Sequence, residues 1–213
     1  MKKMKIDYLH AANRDALGVR RTASGRALAD AIALTAEVCG QVLSPAAAEL
    51  LADDLGDFDE AAVLAALARC RREMQGPLKL SDILARIDDG RPDAGAAWDM
   101  IPKSELASVV WTEEMAHAWG IALPLLNAGD ADGARRTFCE AYANAVLGAR
   151  GRRQPVRWQP SLGSDVGARE PVLLDALRKG RLSAAHVEQL LPCSAGALLE
   201  AEIAAQVKIK KLH

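Results

Sequence analysis

The sequence predicts an all-α protein, a multi-helix bundle of short amphipathic helices in one or two small helical subdomains. Half of the 213 residues are apolar, but alanine supplies much of that fraction and aromatic residues only 4%. This balance favours closely packed helices over a sheet. Runs of β-branched residues are nearly absent, whereas helix N-cap and stop signals recur along the chain. A chain of this length can form one sizeable domain or two small ones.

The first 24 residues are predicted to form a basic flexible arm. They contain few apolar residues and six bases, Lys2, Lys3, Lys5, Arg14, Arg20 and Arg21. They lack the uninterrupted apolar segment of a signal peptide. Residues Arg26 to Val42 then predict an amphipathic helix, whose inner positions at helical spacing are Leu28, Ile32, Thr35 and Val38.

Residues Ser44 to Ile87 predict three further short helices. Ser44 before Pro45 is typical of an N-cap, and Asp57 with Glu60 three residues later is typical of a capping box. The helix that follows is amphipathic and basic at its C-terminal end, where cations suit the helix dipole. A third helix is predicted to open at Ser81. Since no catalytic group lies on the predicted inner faces, residues 25–89 are interpreted as a helical binding domain.

The turn sequence DDGRPDAG, residues 88–95, is the strongest candidate domain boundary. Beyond it, residues 90–192 are predicted to form a second helical domain, followed by a C-terminal helix and basic tail over 193–213. The predicted helices of the second domain are one capped by Asp93, one over Lys103–Val110, one from Thr112, one over Ala131–Ala149, and two short ones near 169–179 and 184–191.

Residues 148–168 break the helical periodicity and predict a long basic surface loop. Guanidinium groups can hold phosphates, and an exposed indole can stack on a base. The loop is therefore a candidate for contact with single-stranded nucleic acid. The alternative is a solvated loop whose tryptophan folds back as an anchor. The residues concerned are Arg150, Arg152, Arg153, Arg157 and Trp158.

Charge is unevenly distributed behind a net value of -1. Residues 49–60 carry six acids and no base, whereas residues 150–181 carry eight bases against three acids. A polar partner is therefore expected to bind one part of the surface and not the whole of it.

Glu114 and His117 have the spacing that supplies two ligands to carboxylate-bridged di-iron bundles. No second copy of the pair is present, so we predict an exposed His117, no metal and no cofactor. Ser161 to Asp165 matches neither a nucleophile elbow nor a phosphate-binding loop. We therefore predict a protein that is not an enzyme.

The cysteines also indicate the compartment. Cys39, Cys70, Cys139 and Cys193 are far apart and form no CxxC pair, which is typical of buried free thiols in a reducing cytosol. No apolar run is long enough to span a membrane, so a cytoplasmic location is expected.

Residues Leu43 to Ile87 contain a capped helix, an acidic turn, the sequence DEAAVLAALARCRRE, a short linker and LSDIL. In this order they resemble the small helical N-terminal domain of phage replicative-helicase loaders and inhibitors. Later segments, SVVWTEEMAHAWGIALPLLNAGDADGARRTFCEAYANAV among them, look like those of uncharacterised phage and prophage proteins from replication regions. The resemblance implies a non-enzymatic adaptor that holds a hexameric helicase.

The expected function is therefore that of a phage or prophage DNA-replication accessory protein. It would bind a replicative helicase, as a loader or an inhibitor, and single-stranded DNA through the arginine loop. The alternative is a helical protein-interaction or regulatory module of a prophage with no replication role. No oligomeric state is specified by the sequence. The expected helicase contacts lie in the charged parts of residues 49–73: Asp57, Asp59, Arg69, Arg71 and Arg72.

Overall fold

The computed structural model describes residues 25–102 and 104–191. These residues belong to two compact units. Unit 1 contains residues 25–89 together with Arg150–Arg153, and unit 2 contains residues 90–102, 104–149 and 154–191. The predicted basic arm and the predicted C-terminal tail lie outside the described residues.

The described part of unit 1 is built from four helices, and α3 packs against α4. Their bounds are α1 (25–38), α2 (Pro45–Asp54), α3 (Glu60–Glu73) and α4 (Leu80–Arg86). Ser44 caps α2, because its hydroxyl accepts a hydrogen bond from the Ala47 backbone N–H. The largest fully buried side chains of this unit are Ile32, Leu55, Leu67, Ile83, Val63 and Thr35.

Two predicted helix starts in unit 1 are wrong by one or two residues. The N-cap of α3 is Asp59, which accepts the Ala62 N–H, and Asp57 takes no part in the cap. Helix α4 begins at Leu80 and not at Ser81, because the Asp82 carboxylate accepts the Lys79 N–H and fixes the first turn there. Both shifts leave the inner faces of the helices where the periodicity placed them.

Unit 2 contains five helices and two strands among its described residues. They are α5 (Ala94–Met100), β1 (Val109–Thr112), α6 (Glu113–Asn127), α7 (Ala131–Gly151), β2 (Trp158–Ser161), α8 (Arg169–Arg178) and α9 (Ala184–Leu190). The main core of the unit lies between α5, α6 and α7. In it the Phe138 ring stacks on Tyr142 and meets the edge of Trp98. A second cluster joins Val110 to α8 and α9.

The two strands correct the all-α prediction, because the protein is mostly helical but includes a small sheet. β1 and β2 pair antiparallel, with Val109 opposite Ser161 and Thr112 opposite Trp158. The predicted helix over Lys103–Val110 is therefore wrong: residues 104–108 form a bend, a turn and irregular chain, and the extended strand begins at Val109. Two valines, a tryptophan and a threonine in succession suit a pleated strand better than a helix.

The turn after β2 brings two backbone segments into close contact. Gly163 donates its N–H to the Ser108 side chain, and Asp165 donates its N–H to the Leu106 carbonyl. A Cβ atom on Gly163 would overlap with that same carbonyl oxygen. Only glycine fits at this position.

None of the helices in the described ranges is long and apolar enough to cross a lipid bilayer.

Candidate protein-binding and nucleic-acid-binding surfaces

Arg150 lies in the last turn of α7 and is only 6% exposed, so the prediction that it belongs to a surface loop is wrong. Its Nε and Nη2 donate to the two carboxylate oxygens of Asp89, at 3.1 and 2.8 Å. Its Nη1 donates to the Leu84 carbonyl at 2.9 Å. All three guanidinium nitrogens are thus used within unit 1. A guanidinium held in this way stabilises the end of α4 and is not available to a phosphate.

Arg153 and Asp57, which the sequence analysis assigns to two different sites, form an ion pair. Arg153 Nη1 donates to Asp57 Oδ2 at 2.8 Å, and Arg153 Nη2 lies 3.8 Å from Asp54. Both partners are exposed, so the pair contributes little free energy, but it partly neutralises each charge. A nucleic acid or a basic partner would have to compete with this contact.

Arg153 also ends α7 in the left-handed conformation, with φ of 56°. Its N–H donates to the Arg150 carbonyl and the next N–H donates to the Ala149 carbonyl, which is the Schellman pattern. Helices α1, α6 and α8 end with the same pair of hydrogen bonds, and there the left-handed residue is a glycine, namely Gly40, Gly129 and Gly180. Arg153 therefore occupies a position where a side chain is strained.

We expect R153A and R153G to differ in stability although both remove the same ion pair. Glycine relieves the left-handed strain and alanine keeps it, so R153G should be more stable than R153A by about 1 kcal/mol. Urea denaturation followed by circular dichroism measures the difference. Equal stability of the two variants would mean that the left-handed turn is not retained when the ion pair is lost.

Arg152, Arg153 and Arg157 are the predicted nucleic-acid residues that remain at the surface. The Arg157 side chain is 69% exposed and lies 3.7 Å from the Glu113 carboxylate. The backbone carbonyl of Arg157 extends the sheet by accepting the Glu113 N–H. This backbone hydrogen bond fixes the Arg157 backbone against the start of α6, while the guanidinium group of Arg157 stays in solvent.

Trp158 is half-buried in β2 and packs against the α8 and α9 cluster. The guanidinium carbon of Arg181 lies 4.1 Å from the centre of the indole ring, a cation-π contact. This geometry matches the alternative in which the tryptophan folds back as an anchor. No local pattern in the sequence indicates Arg181, because a contact between residues so far apart follows from the packing of α8 on β1.

Three of the predicted partner-binding residues at or in α3, namely Asp59, Arg69 and Arg71, have partners within unit 1. Asp59 is the N-cap of α3, and Arg71 donates to the Thr35 hydroxyl of α1 at 2.8 Å. Arg69 donates to Glu73 at 3.0 Å, and Arg86 of α4 donates to the other oxygen of the same carboxylate at 2.9 Å. Arg72 is exposed and has no polar side-chain partner among residues 25–102 and 104–191.

The hydrogen bonds from Arg69 and Arg86 lower the pKa of Glu73 from its ordinary value. The carboxylate therefore stays ionised and links the C-terminal end of α3 to α4. The cations at 69 and 86 have a structural role in unit 1, and Arg72 is the member of the predicted basic group that is most available to a partner.

Glu114 and His117 lie in different environments although they share a helix. His117 is exposed, whereas the Glu114 side chain is 11% exposed and holds Arg91, whose side chain is 1% exposed. Arg91 Nε and Nη2 both donate to Glu114 Oε1, at 3.0 and 2.9 Å. Burial acts to raise the pKa of Glu114, but the hydrogen bonds from Arg91 and from its own backbone N–H bring it below the ordinary value. The described ranges contain no group of three side chains that could hold a metal ion.

Two thiols within the described ranges, those of Cys70 and Cys139, have no sign of nucleophilic activation. Cys70 is buried, and burial raises its pKa. Cys139 is half-buried, and burial raises its pKa as well. A raised pKa lowers the thiolate fraction at neutral pH, so these cysteines act as small apolar residues. Cys193 lies outside the described residues.

An exposed apolar stripe on α1 is a feature that the sequence analysis misses. Leu34 and Val38 lie one turn apart on the same face and are 64% and 66% exposed. Ala27 and Ala31 continue this face toward the N-terminal end of the helix. The prediction that Val38 faces the core is wrong, because its side chain points away from the buried residues of α1. The spacing 27, 31, 34, 38 is itself a helical stripe and could have been recognised as a second face.

Comparison with known protein families, with curated proteins and with solved structures finds no match to this chain. The resemblance to helicase loaders therefore stays a prediction from the sequence. The surfaces of the two units are the remaining guide to function.

Proposed function

We propose that this chain is a non-enzymatic adaptor whose unit 1 binds another protein through the apolar stripe of α1. The observation that carries the proposal is the exposure of Leu34 and Val38 on one helix face. Full burial of one such side chain contributes about 1.5–3 kcal/mol, so an apolar surface left in water favours association with a partner.

The surroundings of the stripe suit a protein interface. Asp30 and Glu37 are exposed on the same helix and lie beside the apolar positions. Protein interfaces commonly combine an apolar centre with a polar rim that sets orientation and specificity. An amphipathic helix of the partner, with apolar residues facing α1 and basic residues facing these acids, would fit this surface.

The partner in this proposal is a replicative helicase of a phage or prophage. Support comes from the resemblance of residues 43–87 to the N-terminal domain of helicase loaders and inhibitors. Within that segment, Arg72 is the predicted contact residue that lacks a partner in the described ranges. If the partner is instead a regulatory protein with no role in replication, the same stripe is used and only the partner changes.

Single-stranded DNA enters the proposal only through Arg152, Arg153 and Arg157, which are exposed. Arg150 is buried against Asp89, and Trp158 has one ring face covered by Arg181. Arg153 and Arg157 each lie beside a carboxylate, so the net positive charge at this surface is small and DNA contact would be secondary to protein binding.

We expect the L34K/V38K variant to lose binding to the helicase while it keeps its fold. Two ammonium groups in place of the apolar side chains would have to be desolvated at the interface, which should weaken binding at least about a hundredfold. The measurement is light scattering after size-exclusion chromatography of the chain mixed with the helicase. Co-elution of the wild-type chain at a defined stoichiometry is the expected reference result.

The matched control is I121K/L126K, which places two lysines at exposed apolar positions of α6 in unit 2. This variant should still co-elute with the helicase. Separate elution of the wild-type chain would refute the helicase as partner. Equal binding by the two lysine variants would refute the α1 stripe as the contact.

A further inference from the structure

Unit 1 contains an open cavity of about 560 Å³ between α1, α2 and the turn that leads into α3. The apolar residues that line it are buried or half-buried and form a floor, whereas the charged residues are exposed and form a rim. The floor residues are Leu28, Ala52, Leu55 and Phe58, and the rim residues are Glu49, Asp53, Glu60 and Arg26. This cavity is called the acidic groove below.

The rim of the acidic groove carries three carboxylates against one guanidinium group, so its net charge is negative. Glu49 and Asp53 are exposed on α2, and neither forms an ion pair with another described side chain. They lie four positions apart, which places them one turn apart on the same helix face, where like charges repel. A cation bound between them would remove this repulsion. The groove is therefore complementary to a cationic group.

The volume of the acidic groove limits the size of its occupant. A volume of 560 Å³ equals that of a cube about 8 Å on a side, whereas an α-helix with its side chains is about 10–12 Å across. The groove therefore admits one or two side chains of a partner and not a whole helix.

An arginine side chain fits both the floor and the rim. Its methylene groups can cover apolar surface while its charged end reaches the carboxylates. A guanidinium group binds a carboxylate through two parallel hydrogen bonds and stacks on an aromatic ring, whereas an ammonium group is a compact point charge. Phe58 supplies the aromatic ring, and Glu49 and Asp53 supply the carboxylates.

We propose that the acidic groove binds an arginine-bearing segment of another protein. One arginine of that segment lies between Glu49 and Asp53, with its guanidinium group against Phe58. The inference goes beyond the proposed function, because it concerns a different surface of unit 1. It depends neither on the α1 stripe nor on the helicase as partner.

The probe for this site is a fluorescein-labelled peptide of four Arg-Leu-Ser repeats, and its binding to the full chain is measured by fluorescence anisotropy. We expect E49Q/D53N to bind the peptide about tenfold more weakly than the wild-type chain, because two exposed ion pairs are lost. The variant keeps the size of both side chains and removes the repulsion between them, so weaker binding would not come from unfolding of α2. A peptide of Lys-Leu-Ser repeats should bind the wild-type chain about threefold more weakly than the arginine peptide.

The matched control is D99N/E140Q, which removes two exposed acids of unit 2 and should bind the arginine peptide as the wild-type chain does. Equal binding by E49Q/D53N and the wild type would overturn the proposal. Equal binding of the arginine and lysine peptides by the wild type would also overturn it. If spermidine displaced the labelled peptide at the same concentration as the unlabelled peptide does, the groove would be a site for small cations and the proposal would be wrong.

Discussion

Replacing Arg91 by methionine is expected to lower the free energy of unfolding by about 3–5 kcal/mol. The substitution leaves the Glu114 carboxylate buried without its cation. It also removes the donor to the Gln154 and Pro155 carbonyls, which Arg91 Nη2 reaches at 3.1 and 3.3 Å. An uncompensated charge in a low-dielectric interior costs far more than an exposed ion pair contributes. Urea denaturation of the wild type and the variant measures the loss.

The loss of stability in the R91M variant should become larger as the pH rises. In the wild type the pKa of Glu114 is lowered, so its contribution to stability is complete above the unfolded pKa and disappears as the pH falls through the folded one. Without Arg91, burial dominates and raises the pKa of Glu114, so the variant loses stability as the pH rises. The difference in stability should therefore widen between about pH 4 and pH 7. A difference that narrows over this range would contradict the argument.

Two controls separate the buried pair from a general effect of lost charge. R157M removes an exposed pair with Glu113, next to Glu114 in the chain, and should change stability by less than about 0.5 kcal/mol. The double variant R91M/E114L removes both charges and should recover most of the loss. If the double variant were no more stable than R91M, the carbonyls of Gln154 and Pro155 would be the main source of the effect.

Gly163 is the second position where a single substitution should have a large effect. In G163A the new methyl group would overlap with the Leu106 carbonyl oxygen and would lie 2.6 Å from the Ala107 carbonyl carbon. These are backbone atoms, and they cannot move without breaking the hydrogen bonds that hold 163–165 against 105–108. We expect a loss of about 3 kcal/mol or more, measured by thermal or urea denaturation.

The control for Gly163 is Gly120, which lies inside α6 and where an added Cβ would meet no other atom within 4 Å. G120A should raise stability by about 0.5–1 kcal/mol, because alanine favours the helix. A similar loss in both variants would show that unit 2 tolerates no change at its glycines. A loss confined to G163A would support the close backbone contact.

Most helices could be predicted from the sequence because their signals are local. Ser44 and Asp93 cap helices where side chain and spacing predict them. β1 carries a local strand signal in its valines and tryptophan, and the helix predicted over its first residues overlooks that signal. β2 carries almost none, since it includes Pro160 and is stabilised by pairing with β1.

The candidate sites were harder to predict because their properties depend on contacts distant in sequence. The spacing of Arg150, Arg153 and Arg157 shows a basic segment, but only the fold places one of them against Asp89 and another against Asp57. The same holds for Glu114, since its partner Arg91 lies 23 positions away and no motif connects the two residues.

The bond between Arg150 and Asp89 joins residues 61 positions apart in the chain. During synthesis on a ribosome, the residues up to Asp89 are made before Arg150 is added to the chain. Until then the Leu84 carbonyl and the Asp89 carboxylate lack the guanidinium that they bind in the finished fold. Unit 1 therefore reaches its final form only after the α7 sequence has been made, and a fragment that ends at Asp89 would lack the ion pairs that Arg150 forms with Asp89 and Arg153 forms with Asp57.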